Sequence, residues 1–174
     1  STNWSFFRLR PNNFPPLRIA QGAAWYAEDA LLAADPLPHL RAALDADAPT
    51  DALRQALSAC PPPFWRTHYH LETSASEHEP GLGPSRRDTL IVNAVVPTLL
   101  LDADRRDDAA QAESALDVLR SLSASRDKVV RRFRDLGTTA RSAFEAQGLH
   151  QLYREYCTEG GCLDCNIGQH LLNS

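Results

Sequence analysis

Residues 88–103, DTLIVNAVVPTLLLDA, decide the fold class. They form the most apolar stretch of the chain, and two readings compete for it. Ile91, Val92, Val95 and Val96 are β-branched and suit a strand. The run is, however, well beyond the roughly 4–8 residues of a typical buried strand, so its length favours a buried helix. Pro97 has no N–H to donate and crowds the carbonyl four residues earlier, which predicts a kink in that helix.

Working outward, the flanking segments also read as helices. Pro15-Pro16 supplies the fixed φ that suits a first helical turn. Leu17, Ala20, Ala24, Leu31 and Leu32 then recur at helical spacing, predicting a helix from Leu17 to about Ala34, ahead of Pro36 and Pro38. Leu37 to Ala59 is rich in Ala and Leu, with Thr50 or Asp51 expected to cap a short helix. Pro61-Pro62-Pro63 interrupts the pattern, and residues 61–87 are expected to form an irregular, aromatic-rich loop. DADRRDD, residues 102–108, reads as a solvated acidic loop. Amphipathic helices are predicted over Ala109–Leu122 and Ser125–Leu136, the second stopping at Gly137, a residue favoured just past helix ends. Leu149, Leu152, Tyr153 and Tyr156 predict one more helix, which delivers Cys157 at its C-terminal end. The expected fold is all-α, a single compact multi-helix domain over residues 1–174, with residues 1–16 as an extended arginine and aromatic segment.

Composition narrows the function classes. The chain has 174 residues, 43% hydrophobic and 23% charged, which is enough apolar material to bury a core. Its net charge of −4 excludes an overall polycation, so any nucleic-acid surface must be local. No run approaches the roughly 18 apolar residues of a membrane span and no secretory leader opens the chain, so a cytoplasmic setting without membrane association is expected. There is no methionine, and the first residues run directly into motif-dense sequence, so a fragment of a longer protein is expected.

Three of the four cysteines fall in YCTEGGCLDCNIG, residues 156–168. Gly160-Gly161 permits a tight reversal, so that Cys157 at the end of one helix can face Cys162 and Cys165 in the first turn of the next. Thiolates are soft ligands that helix N-termini stabilise, so the C-x4-C-x2-C array is expected to bind metal, zinc or an iron-sulfur cluster. The fourth donor is open among His170, Cys60, His68 and His70. Alternatives for the array are buried core thiols without metal and a Cys162–Cys165 redox pair.

Between Ser1 and Ala20 stand Arg8, Arg10 and Arg18 with no acidic residue, interleaved with Trp4, Phe6, Phe7 and Phe14. Guanidinium groups beside aromatic rings suit phosphates and stacked bases, so DNA or RNA is the expected partner. Arg131 and Arg132 belong to a second basic run, Arg126 to Arg141, though a solvated helix face has the same pattern. His68 in FWRTHYH is a ligand, a base, or a ring satisfied by a backbone carbonyl. No GxSxG, HExxH or P-loop pattern occurs, so no catalytic residue is assigned and no activity is expected of this chain by itself.

FFRLRPNNFPPLRIAQ at 6–21, FWRTHYH at 64–70, LIVNAVVPTLL at 90–100 and SAFEAQGLHQLYREYCTEGGCLDCNIGQHLL at 142–172 together resemble the C-terminal part of a bacterial family, domain of unknown function 2851. The resemblance runs nearly end to end. It marks Arg8, Arg10, Pro11, Asn13, Phe14, Arg18, His68, Cys157, Cys162 and Cys165. It does not require Cys60 or His170, which favours His68 as the fourth metal ligand. This chain has Ser125-Arg126-Asp127 where the resemblance implies a Glu-Asn pair. The resemblance implies an upstream restriction-endonuclease-like half, and hence a nuclease-associated accessory domain that binds nucleic acid. The alternative is a structural or protein-interaction module with a structural metal and no nucleic-acid role.

Overall fold

A computed structural model describes residues 10, 13–27 and 30–172. Arg8 and Pro11 therefore lie outside the described residues. The protein is all-α, with no strand among the described residues beyond the isolated bridge pairs His68–Ser74 and Ser123–Ser142. It divides into two compact units, 1–102 and 103–174.

In the first unit, helix α1 (Pro15–Ala24) starts on its two prolines and buries Leu17, Ala20 and Gln21. It stops ten residues short of the expected Ala34. Its end tightens into i→i−3 bonds, Trp25 N–H to Gly22 and Tyr26 N–H to Ala23, while Trp25 Nε1 donates to the Leu57 carbonyl and the Trp25 carbonyl accepts from the Leu32 N–H. The Ala/Leu-rich segment forms two helices, α2 (Leu37–Leu44) and α3 (Pro49–Ala56), which pack on each other through Leu40, Leu44 and Leu53. The cap of α3 is Ala48, not Thr50 or Asp51, because Pro49 claims the first helical position and shifts the start upstream. Pro63–Arg66 makes a single 3₁₀ turn, and helix α4 (Pro84–Leu90) begins inside the segment expected to be irregular.

The deciding stretch is a helix. It continues from α4 through a π-helical turn, Ile91–Val95, into α5 (Val96–Arg105). The predicted distortion takes this form because Pro97 offers no N–H and its ring crowds the preceding turn. A wider turn, in which the Val96 N–H reaches back to the Ile91 carbonyl, accommodates both. Ile91, Val96 and Leu99 are almost completely buried, each contributing about 1.5–3 kcal/mol of hydrophobic stabilisation.

Asp102 does not belong to a solvated acidic loop. It is 8% exposed and holds Arg41 of α2 in a two-pronged ion pair, Nε to Oδ2 at 2.8 Å and Nη2 to Oδ1 at 2.9 Å. Arg54 of α3 makes a similar fork to Asp88 of α4 at 2.7 and 3.1 Å. Planar guanidinium forks of this kind specify orientation between helices as well as adding attraction.

In the second unit, α6 (Ala109–Ser121) is capped by Asp108, which accepts from the Gln111 N–H. Helix α7 (Lys128–Asp135) is capped by Asp127 and closed by Gly137 at φ +92°, a left-handed conformation that favours glycine. Helix α8 (Ala143–Leu152) starts at Ser142, whose hydroxyl accepts from the Glu145 N–H while Glu145 returns to the Arg141 N–H. Both α6 and α7 pack on α8, burying Ala115, Val118, Val130, Phe133, Ala143 and Ala146.

Candidate metal centre and nucleic-acid interface

The chain from Tyr153 to Leu172 folds as one hairpin. Helix α8 ends in a π-helical turn, Tyr153–Cys157, so Cys157 stands at a helix C-terminus as its spacing predicts. Gly160, at φ +70°, reverses the chain, and the Gly161 N–H returns to the Tyr156 carbonyl at 2.9 Å. Cys162 to Asp164 form a turn, and helix α9 (Asn166–Leu172) starts one residue after Cys165. The CxxC pair thus precedes the second helix and is not in its first turn. A Cβ on Gly168 would sit 2.1 Å from the Cys162 carbonyl oxygen, so only glycine lets α9 lie against the CxxC backbone. The Gln169 side-chain amide fastens this turn by donating to the Leu163 carbonyl at 2.6 Å.

All four cysteines are free; Cys60, Cys157 and Cys162 are exposed and Cys165 is buried. Three soft donors in one glycine-hinged hairpin match the donor chemistry of zinc. Among the described residues, no three His, Cys, Asp or Glu side chains stand close enough together to hold a metal ion. Binding at the hairpin therefore requires the two exposed thiols to turn toward Cys165. His170 lies on α9, in the same unit.

Cys60 and His68 belong to the first unit. The Cys60 sulfur lies 3.8 Å from the Glu79 carboxylate, and partial burial, reinforced by that carboxylate, pushes its thiol pKa up. His68 stacks on Phe64 with ring centroids 4.0 Å apart, and its Nδ1 is within hydrogen-bond distance of the Phe64 carbonyl and the Thr67 hydroxyl. Nδ1 thus lies where the Phe64 carbonyl can satisfy it. Nearby, His70 is tilted against Phe14, and Tyr69 stacks on His78 at 3.8 Å.

The arginines separate into several environments. Arg10 is exposed. Asn13 presents its side-chain oxygen to two guanidinium groups, Arg18 at 2.9 Å and Arg86 of α4. Arg18 is also anchored by Gln21, which is buried and donates to the Pro80 carbonyl at 2.7 Å. Arg86 was not among the expected site residues; it lies 73 positions from Asn13 in the chain, and its only local sign is the Arg86-Arg87 pair.

Arg131 and Arg132 diverge. Successive helical side chains point about 100° apart, and Arg132 lies over the Tyr153 ring at 5.8 Å. Arg131 lines an open cleft with Arg126, Arg134 and Arg141. Asp127, next to Arg126 in the chain, does not line that cleft. Its carboxylate accepts from the Val129 and Val130 N–H groups, from Ser125 and from His150. Partial burial pushes its pKa up, but hydrogen bonds from Ser125, Val130 and His150 outweigh this and hold the carboxyl well below the usual carboxylate range.

No helix of the described residues is long and apolar enough to cross a membrane. No curated protein and no solved structure matches the chain. A family match does, over residues 1–128; it takes in Arg10, Asn13, Arg18 and His68 and ends before the cysteine hairpin. By that match, which covers well over half of the 174 residues, the chain belongs to the family described as Protein of unknown function (DUF2851).

Proposed function

We propose that this chain is a zinc-stapled helical module that binds DNA or RNA, as an accessory to a restriction-endonuclease-like half of the same protein. The observation that carries the proposal is the convergence of Arg18 and Arg86 on the Asn13 oxygen. A neutral amide holds two guanidinium groups side by side without adding a negative charge of its own, an arrangement that suits docking on a phosphate backbone. Arg86 has no carboxylate within ion-pair distance among the described residues. Exposed Arg10 extends the same segment, with Arg8 preceding it. Zinc would be held by Cys157, Cys162 and Cys165 and would supply structural closure of the hairpin.

Fluorescence anisotropy with labelled single-stranded DNA, duplex DNA and RNA tests this reading. Affinity should fall steeply with salt, by a slope of about 0.9 per neutralised phosphate on duplex DNA. Replacing Arg10, Arg18 and Arg86 together with Gln should flatten that slope. Absence of retention at low salt, or a slope indifferent to the substitutions, would favour the structural or protein-interaction module instead.

A further inference from the structure

The second unit carries a feature that the proposed nucleic-acid surface of the first unit does not use. A cleft of about 470 Å³ opens between the approach to α7, one face of that helix and the strand-like entry to α8. Arg126, Arg131, Arg134 and Arg141 line it, together with the hydroxyl residues Ser125 and Thr139. Val130, 7% exposed, contributes apolar lining.

The charges around this cleft are unbalanced. Of the four, Arg134 alone has a carboxylate within ion-pair distance among the described residues, Asp135 at 3.0 Å, and that pair is exposed. Arg131 donates to the Asp127 main-chain carbonyl, which is neutral. Among the described residues, Arg126 and Arg141 have no side-chain partner, although Glu145 accepts the Arg141 main-chain N–H at 2.6 Å. Asp127 keeps its negative charge, but its carboxylate is directed to the first turn of α7, Ser125 and His150 and does not line the cavity. No carboxylate lines the cavity. Guanidinium groups stay charged at every relevant pH, so four of them on one open cleft present a positive field that attracts anions.

We propose that this cleft binds a terminal phosphate, the phosphomonoester of a nucleotide or of a nucleic-acid strand end. A phosphomonoester carries close to two charges near neutral pH and three terminal oxygens, which suits several convergent guanidinium groups better than a singly charged internal phosphodiester. The volume exceeds what a phosphate group alone occupies and falls in the range of small-molecule sites, roughly 300–1,000 Å³, so it also admits an attached sugar. The strand-end form of this inference rests on the nucleic-acid reading above; the nucleotide form does not.

Calorimetric titration of the full chain with inorganic phosphate and with adenosine monophosphate, alongside anisotropy on one oligonucleotide bearing a 5′-phosphate or a 5′-hydroxyl, separates the outcomes. Phosphate and the nucleotide should bind, and the phosphorylated end should be preferred about tenfold or more. R126Q/R141Q should abolish that preference while R154Q, a substitution elsewhere in the unit, preserves it. If phosphate and nucleotide bind but no oligonucleotide does, the strand-end form and the nucleic-acid reading fail together and the pocket stands. If oligonucleotides bind without end preference and neither small ligand binds the wild-type chain, the pocket is refuted and the nucleic-acid reading survives. A preference that persists in a folded R126Q/R141Q variant also refutes it.

Discussion

His150 on α8 donates its Nε2–H to the Asp127 carboxylate at 2.8 Å, so the residue that caps α7 is also the one that fastens α7 to α8. The same carboxylate receives two main-chain N–H groups and the Ser125 hydroxyl. One side chain therefore serves local helix initiation and tertiary packing together.

Replacing Asp127 with Ala should lower stability by about 0.5–2 kcal/mol through loss of the cap. The effect should depend on pH. Because the folded-state pKa is depressed, the stabilisation is fully present above the unfolded carboxylate pKa of about 3.9 and is lost as pH falls below it. Thermal unfolding of the wild type and D127A at neutral pH and in acid checks this; a difference that grows toward acid would contradict the assignment.

The Arg41–Asp102 fork predicts that Asp102→Ala destabilises the first unit by about 1–3 kcal/mol, since a partly covered guanidinium loses its partner. Arg41→Met combined with Asp102→Leu should recover much of that loss, because neither member of this fork is then left facing an absent partner. Denaturant unfolding of the three variants measures it. A silent Asp102→Ala would return the residue to a solvated loop.

Gly168→Ala places a methyl group where the Cys162 carbonyl already lies. Either α9 or the CxxC turn must move, at a cost of roughly 1–3 kcal/mol. Faster hydrogen exchange should be confined to residues 157–172, with the first unit unchanged. Wild-type protection in that segment would show that the close approach is not maintained in solution.

The thiols make a fourth prediction. Without metal, exposed Cys157 and Cys162 should react with a thiol reagent faster than buried Cys165, and Cys60, though exposed, should lag because partial desolvation of its sulfur and the Glu79 carboxylate raise its pKa. Zinc should protect the three hairpin thiols, and protection of Cys60 as well would make it the fourth donor. Mass spectrometry of the alkylated chain reads each site, and unchanged labelling in zinc would remove the staple from the proposal. Alanine variants of His170, His68 and Cys60, tested singly for zinc affinity, identify the fourth donor.

What the sequence determined by itself was whatever acts within one turn of chain. Pro15-Pro16 starts α1, Gly137 ends α7, Pro97 distorts the long apolar helix, and Gly160 reverses the thiol hairpin. Each follows from a backbone preference or a missing N–H, which the residue carries wherever it stands. Tertiary structure alone decided which charges are buried and which converge. Asp102 is buried where Arg41, 61 positions away, meets it; Trp25 at the end of α1 reaches the Leu57 carbonyl; Arg86 joins Asn13 across the first unit. Arg131 and Arg132 are neighbours in the chain, yet one lines a cleft and the other covers a tyrosine. Periodicity identifies a helix and its faces, but the occupant of each face is set by packing among groups far apart in sequence, which no local spacing encodes.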